Sequence, residues 1–300
     1  MLKLARERRF RDLLPPPDDR RFEASGVVVA GRSLWVVFDN TRCVARLPIA
    51  LDGPGTWVDL PDTAEGFEDI AYSPRSRRFL LLVESVRRGD VYVSAIDEYD
   101  SRWRFLQRRT IEGALLRQNK GYEGIACATF RGRELVWALR ERSKDPIPHV
   151  DLLTPAHDTW RVERSIDLPV SAQFSDYSAL AVRGRRMAVL SQEDGKLWVG
   201  RLTADGSATD EGVVFDFPRT RTKHKRRYYA LEGLAWIDDD RLVLVSDRAN
   251  RRKYPKRARR RDESIHVFRL PGRTGAQSVG GPKHGSVASS GAGHGSGRSR

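Results

Sequence analysis

The chain has 300 residues, 39% of them hydrophobic, and a formal charge of +14. That length allows one large or two ordinary domains with a real core, and no stretch approaches the ~20 apolar residues of a membrane-spanning helix. Two cysteines, Cys43 and Cys127, are too few for a disulfide framework, and neither a CxxC nor an HExxH motif occurs.

Taken in chain order, residues 1–14 (MLKLARERRFRDLL) hold no long apolar run, so no signal peptide is read and a cytoplasmic protein without membrane contact is expected. Five similar segments follow. They are EASGVVVAGRSLWVVFD (23–39), FEDIAYSPRSRRFLLLVE (67–84), YEGIACATFRGRELVWALR (122–140), DYSALAVRGRRMAVLSQ (176–192) and LEGLAWIDDDRLVLVSD (231–247). Each reads as an apolar strand, a tight polar or glycine turn, and a second strand rich in Val, Leu and aromatics. Aligned on Ser25, Glu68, Glu123, Ser178 and Glu232, they recur at intervals of 43, 55, 55 and 54 residues.

Third strands are read at 42–48, 90–96, 196–202 and 264–270, and fourth strands at 56–61, 102–110, 159–166 and 212–218. Four antiparallel strands repeated about every 50 residues describe an all-β, β-propeller fold. Five blades are expected, with a sixth left open should a long connection hide a degenerate unit. The last unit lacks a fourth strand; residues 3–13 could supply it and close the ring, which removes an unpaired sheet edge. Residues 1–271 are therefore read as a single propeller domain, with a monomer as the default. The Gly- and Ser-rich stretch 272–300 cannot bury enough apolar surface to order itself and is read as a disordered basic tail.

The positive charge is concentrated. Residues 219–227 and 248–261 together carry fifteen Lys and Arg and no acid; without them 39 basic residues face 40 acidic ones. Both segments flank the hairpin 231–247. Their phosphate-binding capacity and the nearby Tyr228, Tyr229 and Tyr254 make nucleic acid or an acidic protein a conceivable partner.

In a propeller the first strand of each blade lines the channel and the second runs antiparallel to it. The start of strand one therefore meets the end of strand two. Glu23, Asp39, Glu68, Glu84, Glu123, Asp176, Glu232 and Asp247 are thus expected around one mouth, with Arg140 among them. Gathered carboxylates repel, and burial sharpens the cost. Three remedies are open: a hard cation such as Ca²⁺ on Glu68, Glu123, Glu232, Asp39 and Asp247; a bound basic group, with Arg140 as one already built in; or backbone N–H groups of the next blade, which would make each Glu an inter-blade clamp. Arg140, Arg248 and Gln192 are the residues expected to touch a ligand at this mouth. The basic segments should emerge on the same face and suit a small anionic, phosphorylated ligand.

YEGIA (122–126) and LEGLAWIDDDRLVLVSD with ESIHVFRLP further on resemble the phytase-like and esterase-like β-propeller families, and more loosely the SdiA-regulated propellers. The resemblance spans residues 22–270 and implies a propeller with calcium-assisted ester or phosphoester hydrolysis. It points to Glu123 and Glu232 as catalytic groups and to Asp247 beside them. Arg248 stands where those families often carry an acidic or amide side chain. The opposing reading is a non-enzymatic scaffold that uses the two basic segments to bind an acidic protein or nucleic acid. His149 and His157 are read as connection residues, and Trp35, Trp137, Trp198 and Trp236 as core between blades.

Overall fold

Among the described residues of the computed structural model, twenty strands make five antiparallel four-stranded blades. The structure describes residues 1–17, 21–61, 66–113, 115, 121–130, 132–140, 148–220, 224–250 and 252–272; all but the first residue of the expected tail 272–300 lies outside them.

The first blade runs Ala24–Ala30, Ser33–Phe38, Cys43–Pro48 and Thr56–Asp59, and the second Phe67–Ser73, Arg78–Arg88, Val91–Asp100 and Phe105–Ile111. The third is Tyr122–Phe130, Arg133–Arg140, His149–Pro155 and Thr159–Asp167; the fourth is Ala179–Arg183, Arg186–Ser191, Lys196–Arg201 and Val213–Asp216. The fifth takes Leu231–Trp236, Arg241–Ser246 and Ser264–Arg269 from the end of the chain, and its outermost strand is Lys3–Arg9 from the beginning. That strand pairs antiparallel with Ser264–Arg269, so the ring is closed by joining the two ends of the fold. His149 opens the third strand of its blade; the sequence had offered only a connection there.

Short turns set the inner hairpins. In the first and fourth blades a two-residue loop begins with Gly31 or Gly184, both at positive φ, which L side chains rarely adopt. The Asp-Asp-Asp turn of the fifth blade works differently. Asp238 accepts the N–H groups of Asp240 and Arg241 and pairs with the Arg241 guanidinium, so one aspartate closes the loop.

The core is divided into five wedges, one at each seam between blades. Trp137 and Trp198 are wholly buried between the third and fourth blades, Trp236 lies between the fourth and fifth, and Trp35 packs between the first and second. Burying one such aromatic or aliphatic side chain stabilises by roughly 1.5–3 kcal/mol. Phe10, just after the closing strand, is buried with Phe22 and Phe38 in the seam between the fifth and first blades. The outer strands of the second and third blades also touch: Thr110 and Ile111 pair parallel with Thr159 and Trp160, merging those blades into one eight-stranded sheet.

Arginine is used heavily on the outer side of the second blade. There buried Asp97 takes a two-pronged contact from Arg108, and buried Glu98 is met by Arg78 and Arg109. Paired in this way, the two acids escape the cost of an unmatched buried charge.

Candidate functional site

The five inner strands surround an axial channel whose two ends differ in chemistry. Toward the strand ends it widens to a cavity of about 270 Å³, lined by apolar side chains of all five blades such as Val27, Ile70, Ala126, Ala181 and Leu234. Cys127 also lines it, and burial raises its thiol pKa. Both cysteines are free and half-buried.

At the strand starts the channel is acidic. Four inner strands slip register at their first residues, between Ala24 and Gly26, Phe67 and Asp69, Tyr122 and Gly124, and Leu231 and Leu234. Each slip is a β-bulge, which leaves one residue outside the ladder and re-aims its side chain. In the first three the residue skipped is Ser25, Glu68 or Glu123; in the fifth blade Glu232 and Gly233 share the bulge.

The strands approach very closely just beyond. A Cβ on Gly26 would stand 2.6 Å from the Asp69 Cα, and one on Gly233 would stand 2.7 Å from the Gly26 Cα. Glycine is therefore required for the ring to be this narrow, and the narrowness presses the carboxylates together.

Their electrostatics report the crowding. Glu68 holds its proton well above the usual carboxylate range, first because it is buried and then because Glu84, Glu232 and Asp39 repel its charge. Glu232 is likewise raised well above that range, by burial and then by Asp247, Glu123, Asp176 and Asp39. Asp247 is pushed up to about 7 by burial, opposed by the Arg248 N–H bond and reinforced by Asp39, Glu23 and Glu263. Eight carboxylates from all five blades thus act on one another across a single mouth. Neither Glu68 nor Glu232 has a hydrogen bond or ion pair among the described residues. Among those residues no three carboxylate, His or Cys side chains are grouped closely enough to hold one metal ion.

Three side chains tie one blade to the next. Ser25 donates its hydroxyl to the Phe67 carbonyl, and Ser178 donates to the Leu231 carbonyl at 3.0 Å. Asp69, 1% exposed, accepts the N–H of Ile70 at 2.8 Å and that of Ile125 in the next blade at 2.9 Å. The expected glutamate clamp on the next blade's backbone is thus made by Asp69, one position along. The signal was visible, because residues 68–69 read Glu-Asp where two other units read Glu-Gly.

Arg140 is engaged within its own blade. Its guanidinium meets Asp151 at 3.3 Å and the Tyr122 hydroxyl at 3.1 Å, and it lies over the Tyr122 ring. Tyr122 donates to Asp151 at 2.5 Å, and burial with the Asp151 charge keeps its hydroxyl protonated.

Described residues of both basic segments reach the acidic face at the fourth and fifth blades. Lys253 pairs with Glu193 at 2.8 Å, beside Gln192, whose side-chain oxygen faces the Tyr254 hydroxyl at 3.5 Å. Glu232 in turn raises the Tyr254 hydroxyl pKa, placing this loop within reach of the acidic mouth, though burial is the larger cause. Arg226 donates to the carbonyls of Gln192, Glu193 and Tyr228 and closes the fourth blade onto the fifth. Tyr228 and Tyr229 are buried, with Arg227 and Arg261 over the first ring and Arg226 and Arg257 over the second. Their faces are therefore occupied by guanidinium groups and are not open platforms for bases.

These features define a five-bladed β-propeller with an acidic channel mouth. No family model matches the chain, and no curated protein matches it. Solved structures do resemble it. The PQQ-bound aldose sugar dehydrogenase from Streptomyces coelicolor superposes with a TM-score of 0.51 at 12% identity, over 90% of this chain and 98% of that one. A luciferin-regenerating enzyme superposes with a TM-score of 0.50 at 9% identity, over 85% and 93% of the two chains. Likeness at that identity establishes the fold alone. Among the described residues no helix is long and apolar enough to cross a membrane.

Proposed function

We propose that the acidic mouth is a general acid–base site for hydrolysis of a small anionic ester or phosphoester, in keeping with the phytase-like and esterase-like resemblance of the inner hairpins. One observation carries the reading: Glu68 and Glu232 stand half-buried in the channel mouth, repelled by further carboxylates and without a hydrogen bond or ion pair among the described residues. Carboxylates crowded in a cleft with raised proton affinity concentrate at functional sites.

The roles follow from proton affinity. Burial and then its acidic neighbours raise the proton affinity of Glu232, which suits a general acid, while Asp247, at about 7, is divided between its two forms near neutral pH. Ionised Asp247 takes a proton from water as the water oxygen bonds to phosphorus or the acyl carbon. The ester bond breaks, and Glu232 gives its proton to the departing oxygen. Glu123 and Glu68 keep the site's proton affinity high. Arg248 and the loop around Lys253 attract the anion. The carboxylates, as they stand, are not gathered into one coordination shell, and no step here requires calcium. Calcium binding would need several of them to swing together, which a calcium titration followed by melting temperature reads directly.

The test is a panel of phosphomonoesters and carboxylic esters against the wild-type chain, Glu232→Gln and Asp247→Asn. General acid–base groups contribute about 10²–10⁴-fold, so each variant should lose activity on that scale while staying folded. Undiminished turnover in the double variant would end this reading. Of the scaffold alternative, base stacking on Tyr228 and Tyr229 is disfavoured by their burial, while binding of an acidic protein by the basic segments does not depend on them.

A further inference from the structure

Away from the carboxylates, Thr220, Arg226, Arg227, Arg257, Arg260 and Arg261 line a separate concave cavity of about 180 Å³. Five arginines and a threonine line it, and no carboxylate is among its described lining residues. From this convergence we infer that the cavity is a binding site for a phosphate group carried by a small molecule.

The arginines come from two segments far apart in sequence, so only the fold brings them together. Three are held in place. Arg226 spends its donors on the carbonyls of Gln192, Glu193 and Tyr228, which fix it without neutralising it. Arg257 donates to the Tyr229 hydroxyl at 2.9 Å and to the Arg226 carbonyl at 3.3 Å, again neutral partners. Arg261 pairs with Glu7 at 3.3 Å, and Glu7 also bonds buried His266. Arg227 has the Tyr228 ring as its contact, and neither it nor Arg260 forms an ion pair among the described residues.

Five like charges around a closed space repel one another, and one shared carboxylate behind them offsets little of it. An anion with several oxygens removes the repulsion and uses the donors. Arginine suits phosphate because its planar fork can give two parallel hydrogen bonds to one group. A lone carboxylate has too few acceptors and too little charge for five guanidinium groups. A single-stranded nucleic acid needs an extended groove with open aromatic faces, whereas Tyr228 and Tyr229 lie beneath the arginines. The anchoring of Arg226 and Arg257 lowers the ordering cost of binding. The inference stands whether or not the acidic mouth is catalytic.

The test uses the full chain and inorganic phosphate and pyrophosphate as probes, with calorimetry at constant ionic strength. Phosphate or pyrophosphate should bind at one site per chain, and Arg227→Ala/Arg260→Ala should weaken binding tenfold or more. These two side chains make no hydrogen bond to the described protein, so the fold should persist, as an unchanged circular dichroism spectrum would confirm. Arg201→Ala, an exposed arginine that lines neither site, should bind phosphate like wild type, which separates this cavity from general surface charge. The inference is overturned if chloride at equal ionic strength gives the same heat, if the double variant binds as wild type does, or if a single-stranded oligonucleotide binds while phosphate and pyrophosphate do not.

Discussion

Replacing Asp247 with Asn should stabilise the protein, and the gain should grow with pH. An unfolded aspartate ionises near 3.8, whereas folding raises Asp247 to about 7. Between those values the native state holds more protons than the unfolded chain. Stability is therefore full below about 3.8 and falls as pH rises through about 7. The shift of about three units, at 1.36 kcal/mol each, sets a ceiling of about 4 kcal/mol. The side chain is partly open to the channel, and solvent there reduces the observable to about 1–3 kcal/mol. The Asn side-chain oxygen can still accept the Arg248 N–H, so the local turn survives. Urea unfolding of wild type and Asp247→Asn at pH 4 and pH 8 measures this. The variant should match wild type at pH 4 and exceed it at pH 8. Equal destabilisation at both values would mean that the carboxylate is a structural acceptor and that the repulsion at the mouth is not real. A stabilised variant that has lost turnover would show that the acid is kept for chemistry at the expense of the fold.

The ring itself offers sharper tests of structure. Asp69→Ala leaves the buried N–H groups of Ile70 and Ile125 without an acceptor and should cost about 2–5 kcal/mol, read as a lower urea midpoint. Gly233→Ala forces a methyl to 2.7 Å from the Gly26 Cα. Overpacking there should cost about 1–3 kcal/mol or more, whereas Gly53→Ala, with nothing within 4 Å of its Cβ, should melt within ~1 °C of wild type. Phe10→Ala should cost about 3–5 kcal/mol in thermal unfolding, because its ring fills the seam between the fifth and first blades. Deleting residues 1–9 exposes the edge of Ser264–Arg269, and size-exclusion chromatography should show self-association that the full chain lacks.

Much of the architecture is legible from local chemistry. Alternation of apolar and polar residues, glycine at hairpin turns and recurrence near 50 residues are short-range signals. From them come the strands, the five repeats and the need of the last blade for a strand from residues 3–13. The third strand at His149–Pro155 was not legible, because nothing in its neighbours gave a pattern to align with. The acidic residues at strand starts and ends were also readable, since antiparallel pairing alone puts those ends together.

What each charge does there was decided only by tertiary structure. Whether Glu68 or Asp69 clamps the next blade depends on a bulge that re-aims one of them, and on Ile125, 56 residues on from Asp69, lying beside it. Whether Arg140 is available to a ligand depends on Asp151, eleven residues on and in another strand. The fifteen basic residues of 219–227 and 248–261 looked alike as sequence. Among the described ones, folding sets Arg226 on backbone carbonyls, Arg227 and Arg261 over Tyr228, and Arg260 at the lining of a cavity. A sequence specifies charge locally, but burial and partner choice depend on distances that exist only once the ring has closed.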